Sequence, residues 1–96
     1  MKLIYSQEAV ADLVRLRSFI ATHDPSAAAH IASDLVSRVD HLCQFPAMGR
    51  SVAEAPQPDT VRDFSFGKYV VRYTLHDSAL VILRIWHHFE SRQGST

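Results

Sequence analysis

The stretch "LVILRIWHHF" (80–89) constrains this chain more than any other. It is almost continuously apolar and rich in β-branched residues, so it reads as a central strand covered on both faces. Such a strand needs partners on either side and a layer above it. The 96 residues supply one domain and not two, so both must come from the same short chain. A domain of this size buries only roughly 60–70% of its unfolded surface. Modest stability is expected unless a partner adds to it.

The neighbours precede it. "VRDFSF" (61–66) alternates, "GK" turns, and "YVVRYTL" (69–75) sets Tyr69, Val71, Tyr73 and Leu75 against Val70, Arg72 and Thr74. "HDSA" is a polar turn into the last strand. These three segments form an antiparallel meander. "KLIY" (2–5) adds a short first strand.

The covering layer is helical. Ser6 is placed as an N-cap, with Glu8 in the first turn. Ala9, Leu13, Leu16 and Ile20 recur at helical spacing, Val10, Val14 and Phe19 widen the stripe, and Asp12 and Arg15 fall outside it. Asp24 caps a second helix with Pro25 at its first position. Ala28, Ile31, Leu35, Val39 and Leu42 make its apolar face, and "QFPAMGRS" ends it. Residues 50–60, "RSVAEAPQPDT", form a surface loop. The predicted fold is α+β in the order β-α-α-β-β-β: an antiparallel helical hairpin packed on one face of a twisted antiparallel sheet.

The other sheet face is left for Arg72, Thr74 and their neighbours. Arg72 and Arg84 each interrupt an apolar strand, and a charge in a central strand needs a partner. No carboxylate partner is evident for them in the sequence. Arginine forks with a histidine nearby could hold a phosphate while a proton moves, or could bind a carboxylate-bearing protein segment. His87 and His88 are adjacent, so on a strand they point to opposite faces and cannot share a metal ion. No CxxC or HExxH spacing occurs, and no metal or cofactor is expected. Cys43, the single cysteine, sits on an amphipathic helix as a small core residue rather than a nucleophile.

Ten basic and ten acidic residues cancel, which argues against a bulk nucleic-acid or membrane coat. From Val61 onward, however, Arg62, Lys68, Arg72, Arg84 and Arg92 outnumber Asp63, Asp77 and Glu90. Neither a signal peptide nor the ~20 apolar residues of a membrane span is present, so a cytoplasmic protein is expected.

The order of these pieces resembles the ParE/RelE superfamily of toxins from bacterial type II toxin–antitoxin modules. The resemblance covers nearly the whole chain. "ADL" (11–13), "DPSAAAHIASDL", "LCQFPAMGRSV", "VRDF", "KYVVRYTL" and "ILRIWH" follow the family's segments in order and spacing. It implies a growth-inhibiting toxin neutralised by a cognate antitoxin. That partner is expected to be ParD-like, with a ribbon-helix-helix DNA-binding N-terminus and a disordered C-terminal segment that wraps the toxin.

Two activities occur in the superfamily, gyrase inhibition by ParE-like members and ribosome-dependent mRNA cleavage by RelE-like members. Lys2 and Lys68 are the only lysines, and the loop 51–60 holds Glu54 and Asp59 but no lysine. This favours a ParE-like toxin that binds and poisons DNA gyrase, with Arg50, Arg62, Arg72, Arg84, His87 and Arg92 as target contacts. In the RelE-like alternative Arg72, Arg84, His87 and His88 would carry the chemistry. A third reading is an inactive homologue kept as an antitoxin-binding partner. The antitoxin contacts are expected at Leu16, Ile20, Tyr69, Arg72 and Trp86. Two positions depart from the family pattern. Val70 stands where an arginine often follows the first tyrosine, and His88-Phe89-Glu90 replaces Gly-Arg-Arg. By alternation His88 shares the face of Arg84, whereas the family match falls on His87; a bulge would reverse this.

Overall fold

A computed structural model describes residues 2–52 and 60–88. Strand β1 (Lys2–Tyr5) runs into helix α1 (Gln7–His23), then α2 (Pro25–Gln44), a short 3-10 turn (Pro46–Met48), β2 (Arg50–Ser51), β3 (Val61–Phe66), β4 (Tyr69–His76) and β5 (Ala79–His87). The caps fall where the residue types favour them. The Ser6 hydroxyl accepts from the Ala9 N–H at 3.0 Å and donates to the Leu83 carbonyl at 2.9 Å, tying the start of α1 to β5. Asp24 closes α1 through its N–H to the Ile20 carbonyl. Its carboxylate then accepts from Ala27 N–H and opens α2, with Pro25 behind it.

The sheet order is β1-β5-β4-β3-β2. The meander β3-β4-β5 is antiparallel, as expected. The expectation of a wholly antiparallel sheet is corrected at one edge. β1 pairs in parallel with β5, Leu3 opposite Leu80 and Tyr5 opposite Ile82, so the sheet is mixed. The two helices between β1 and the meander bring the chain back to the same end of the sheet, which is what a parallel neighbour requires. β2 adds a fifth strand inside the segment read as loop.

The helices cover one face. Leu16 and Ile20 of α1 meet Leu35, Val39 and Leu42 of α2 over Val71, Tyr73, Leu80, Ile82 and Ile85, all buried. The change from Ile82 to Ile85 marks a β-bulge. Arg72 faces Arg84 but Tyr73 faces Ile82, so Leu83 is the extra residue. Core positions are even before it and odd after it. That phase change, together with burial on both sides, makes the run look apolar without alternation.

Three α1 assignments are corrected. Val10 and Val14, placed in the core stripe, are 50% and 66% exposed, while Asp12, placed outside it, is 1% exposed.

Candidate interaction surface

The uncovered face of the sheet carries a charged row across four strands. Arg50 on β2 is opposite Asp63 on β3, Asp63 is opposite Arg72 on β4, and Arg72 is opposite Arg84 on β5. Residues directly opposite one another in a sheet share a face, so the four side chains line up across four strands. The register thus starts Arg72 and Arg84 on the side away from the helices, but their guanidiniums do not converge: Arg72 turns toward Asp63 on β3, and Arg84 turns round the sheet edge to Asp12 on α1.

They do not stand alone. Asp63 takes Arg72 in a two-point fork, Nε to Oδ1 at 2.8 Å and Nη2 to Oδ2 at 2.9 Å. The guanidinium also lies 5.2 Å from the ring centre of Trp86, which stacks beneath it. Arg84 donates from Nε and Nη2 to the carboxylate of Asp12 at 2.8 and 3.1 Å. The reading that these arginines lack carboxylates is thus corrected. Two arginines directly opposite each other repel, and flanking carboxylates on α1 and β3 offset that repulsion.

Asp12 has further partners. It accepts the Ile85 backbone N–H at 2.8 Å and bonds to Arg15. Burial pushes its carboxyl pKa up, but Arg84, Ile85 N–H and Arg15 outweigh burial and hold it below the usual aspartate value. The same bond to Asp12 raises the pKa of Arg84. Asp12 was missed because it was judged by its charge. Its position, three after Ala9 and four before Leu16, is in phase with the buried stripe, and a carboxylate there is the complement an arginine in a neighbouring strand requires.

Arg62 does not join the row. It faces Tyr73 in the register, on the helix side, and donates to the Gly49 carbonyl at 2.8 Å. Nearby, the buried Tyr73 hydroxyl accepts from the Gly49 N–H at 3.0 Å and donates to the Pro46 carbonyl. A Cβ on Gly49 would stand 2.6 Å from that hydroxyl, so only glycine fits. Arg62 and Tyr73 thus clamp the turn that delivers Arg50 to the open face.

His87 is also displaced from the expected surface. It lies on the helix side, 8% exposed, with Phe19 at 5.4 Å and Tyr69 at 5.1 Å between ring centres. With Ile20, Ala27 and Lys68 these rings border a cleft of about 270 Å³. The bulge precedes Arg84, so alternation holds from there on and His87 points away from the arginines. His88, exposed, follows the strand and donates its backbone N–H to the Lys68 carbonyl. Among the expected antitoxin contacts, Leu16 and Ile20 are core residues and present no surface of their own. Tyr69 is half-buried against His87, and Trp86 is half-buried on the open face beside Arg72. Arg92 lies outside the described residues. Among the described residues no cluster of three or more histidine, cysteine or acidic side chains could hold a metal ion, and no helix is long and apolar enough to cross a membrane.

A family model described as "ParE toxin of type II toxin-antitoxin system, parDE" matches residues 3–91. Toxin RelE1 of Caulobacter vibrioides is 34% identical over 90 residues, spanning 94% of this chain and 96% of the relative. Toxin RelE2 of the same organism is 33% identical over 87 residues, 90% of this chain and 93% of the relative. A solved structure of a chromosomal ParDE system from P. aeruginosa shares the fold, with a TM-score of 0.75 at 24% identity over 91% of this chain and 95% of that one.

Proposed function

Because the chain belongs to the ParE toxin family of type II toxin–antitoxin systems, we propose that it arrests growth by binding and poisoning DNA gyrase, and that a ParD-like antitoxin neutralises it. The observation that carries this reading is the row Arg50–Asp63–Arg72–Arg84, which sets Arg50 and Arg72 on an open sheet face and Arg84 at its edge, with the buried imidazole of His87 on the other side. Proton transfer to a group held by Arg72 and Arg84 would need an acid or base within hydrogen-bond reach. The family-matching histidine is turned away, which favours grip over chemistry. Fork-shaped guanidiniums suit a carboxylate-bearing protein surface.

Purified toxin is expected to block supercoiling by gyrase, with loss of the effect in the R72A/R84A double variant. Full supercoiling at a large toxin excess would dismiss the reading.

Ribosome-dependent mRNA cleavage is the second reading, favoured by the RelE names of the curated relatives and by the exposed His88 at the end of β5. Intact message after incubation with translating ribosomes would exclude it. Cleavage that survives H88A would remove His88 from it.

A further inference from the structure

The outer side of β1 is an edge of the sheet. Lys2 and Ser6 donate their N–H groups to the Ser78 and Ile82 carbonyls at 3.2 and 3.0 Å. In a parallel pair only alternate residues of a strand face its neighbour. Ile4 therefore turns its N–H and C=O toward β5 as they do, and Leu3 and Tyr5 turn theirs outward. No described residue bonds to those outward groups. A row of backbone donors and acceptors without partners is a template for another strand.

The rest of this edge is closed. β1 ends opposite Ile82. Beyond it the Ser6 hydroxyl donates to the Leu83 carbonyl, and Asp12 and Arg15 take the N–H and C=O of Ile85 at 2.8 and 3.1 Å. At the opposite edge β2 is two residues long and carries the exposed Arg50, and a charge on an edge strand opposes pairing. The middle of β1 has no such protection, since Lys2 is its one charge. Leu3 and Tyr5 pack on the helix-covered face. Ile4 lies on the open face, 37% exposed, opposite the half-buried Val81.

These positions complement themselves. When two copies of β1 are set antiparallel with Ile4 on Ile4, Leu3 of each lies opposite Tyr5 of the other. Outward-facing residues then meet outward-facing residues, and each such pair exchanges two N–H···O=C bonds. The Ile4 side chains touch at the symmetry axis, as a non-hydrogen-bonded pair with Cα atoms about 4.5 Å apart. On the helix side each Leu3 meets a Tyr5 ring, an aliphatic–aromatic pair across the strands.

We infer that β1 is a self-association edge, along which a second copy of this chain adds antiparallel at Leu3, Ile4 and Tyr5. The contact is isologous, so it closes at a dimer. The dyad of an antiparallel strand pair stands normal to the sheet. The two sheets therefore become one, with the helices of both copies on one side and both rows of Arg50, Asp63 and Arg72 on the other. Nothing in this depends on the identity of the target. The contact is well below the roughly 1,200 Å² of a standard interface, so association is weak and depends on concentration.

Sedimentation velocity is expected to show the mass rising toward that of a dimer between about 10 µM and about 1 mM protein. Ile4→Lys sets two cations at the axis and should stay monomeric throughout. It should melt as wild type at the lowest concentration, because residue 4 is on the open face. Amide exchange reads the register. The Leu3 and Tyr5 amides should slow roughly threefold or more from the lowest to the highest concentration, while the Ile4 amide, bonded to β5, is slow at both. The inference is overturned if the chain stays monomeric at the highest concentration, or if I4K associates as wild type does. It is equally overturned if a dimer forms with the Leu3 and Tyr5 amides still exchanging freely. Should I4K fail to fold, exchange in the wild type decides.

Discussion

Tyr73→Phe removes one oxygen from the centre of the fold. The ring is fully buried, and its hydroxyl accepts from Gly49 N–H and donates to Pro46 C=O. Phenylalanine fills nearly the same volume, so the cost comes from hydrogen bonding and not from a cavity. Each neutral hydrogen bond contributes about 1 kcal/mol net, and the stranded Gly49 N–H, on a buried residue, adds a desolvation cost, so ~2–3 kcal/mol is expected. For a domain of this size each kcal/mol lowers the thermal midpoint by roughly 4–8 °C. A two-state melt by circular dichroism should therefore shift down by at least ~8 °C. Amide exchange at Gly49 should accelerate more than at Leu35, because the turn is freed while the helix packing stays. Target inhibition should also fall, since the turn that sets Arg50 is loosened. A midpoint within about 2 °C of wild type with unchanged Gly49 exchange would refute the clamp.

Other expectations follow from the same geometry. The depressed Asp12 carboxyl contributes stability that is present above the unfolded aspartate pKa and is lost as pH falls through the lower folded value. The urea midpoint of wild type should thus drop below about pH 4 more steeply than that of D12N, and parallel profiles would exclude the linkage. R72A should cost under about 1 kcal/mol, because its ion pair with Asp63 is partly exposed, yet abolish target inhibition; R62A should lower the melting temperature and, by loosening the turn that sets Arg50, weaken inhibition only in part. H87A opens space among Phe19, Tyr69 and Ile20 and should destabilise by about 2 kcal/mol, whereas H88A should melt as wild type. Equal melts for the two histidine variants would contradict the placement of His87.

Much of the architecture follows from local signals. Ser6, Asp24 and Pro25 are chosen by the needs of helix ends, and the caps stand where those residues do. The turns at Gly67-Lys68 and Asp77-Ser78 divide the meander, with positive φ at Gly67, Asp77 and Ser78. Alternation along β4 puts Arg72 on the open face, whereas on β5 the bulge at Leu83 is what sets Arg84 opposite it. Other features escaped for definite reasons. Asp12 was set aside by polarity although its phase is that of the core, because only a neighbouring strand supplies the cations that make its burial favourable. Arg62 alternates with Arg72 across the hairpin register, and counting along either strand alone does not reveal which face it takes.

The residue order by itself determined the elements and their caps, since those depend on contacts within a few positions. It also determined that two arginines interrupt the apolar strands. Long-range pairing decided the rest. The bulge at Leu83 sets the phase after Ile82, and with it the inward turn of His87. The parallel docking of β1 and its early end leave the Ile85 backbone groups without a neighbouring strand, so that α1 supplies Asp12 and Arg15 from 73 and 70 residues away. Such contacts depend on where the chain returns in space, and no local rule of propensity or period encodes that.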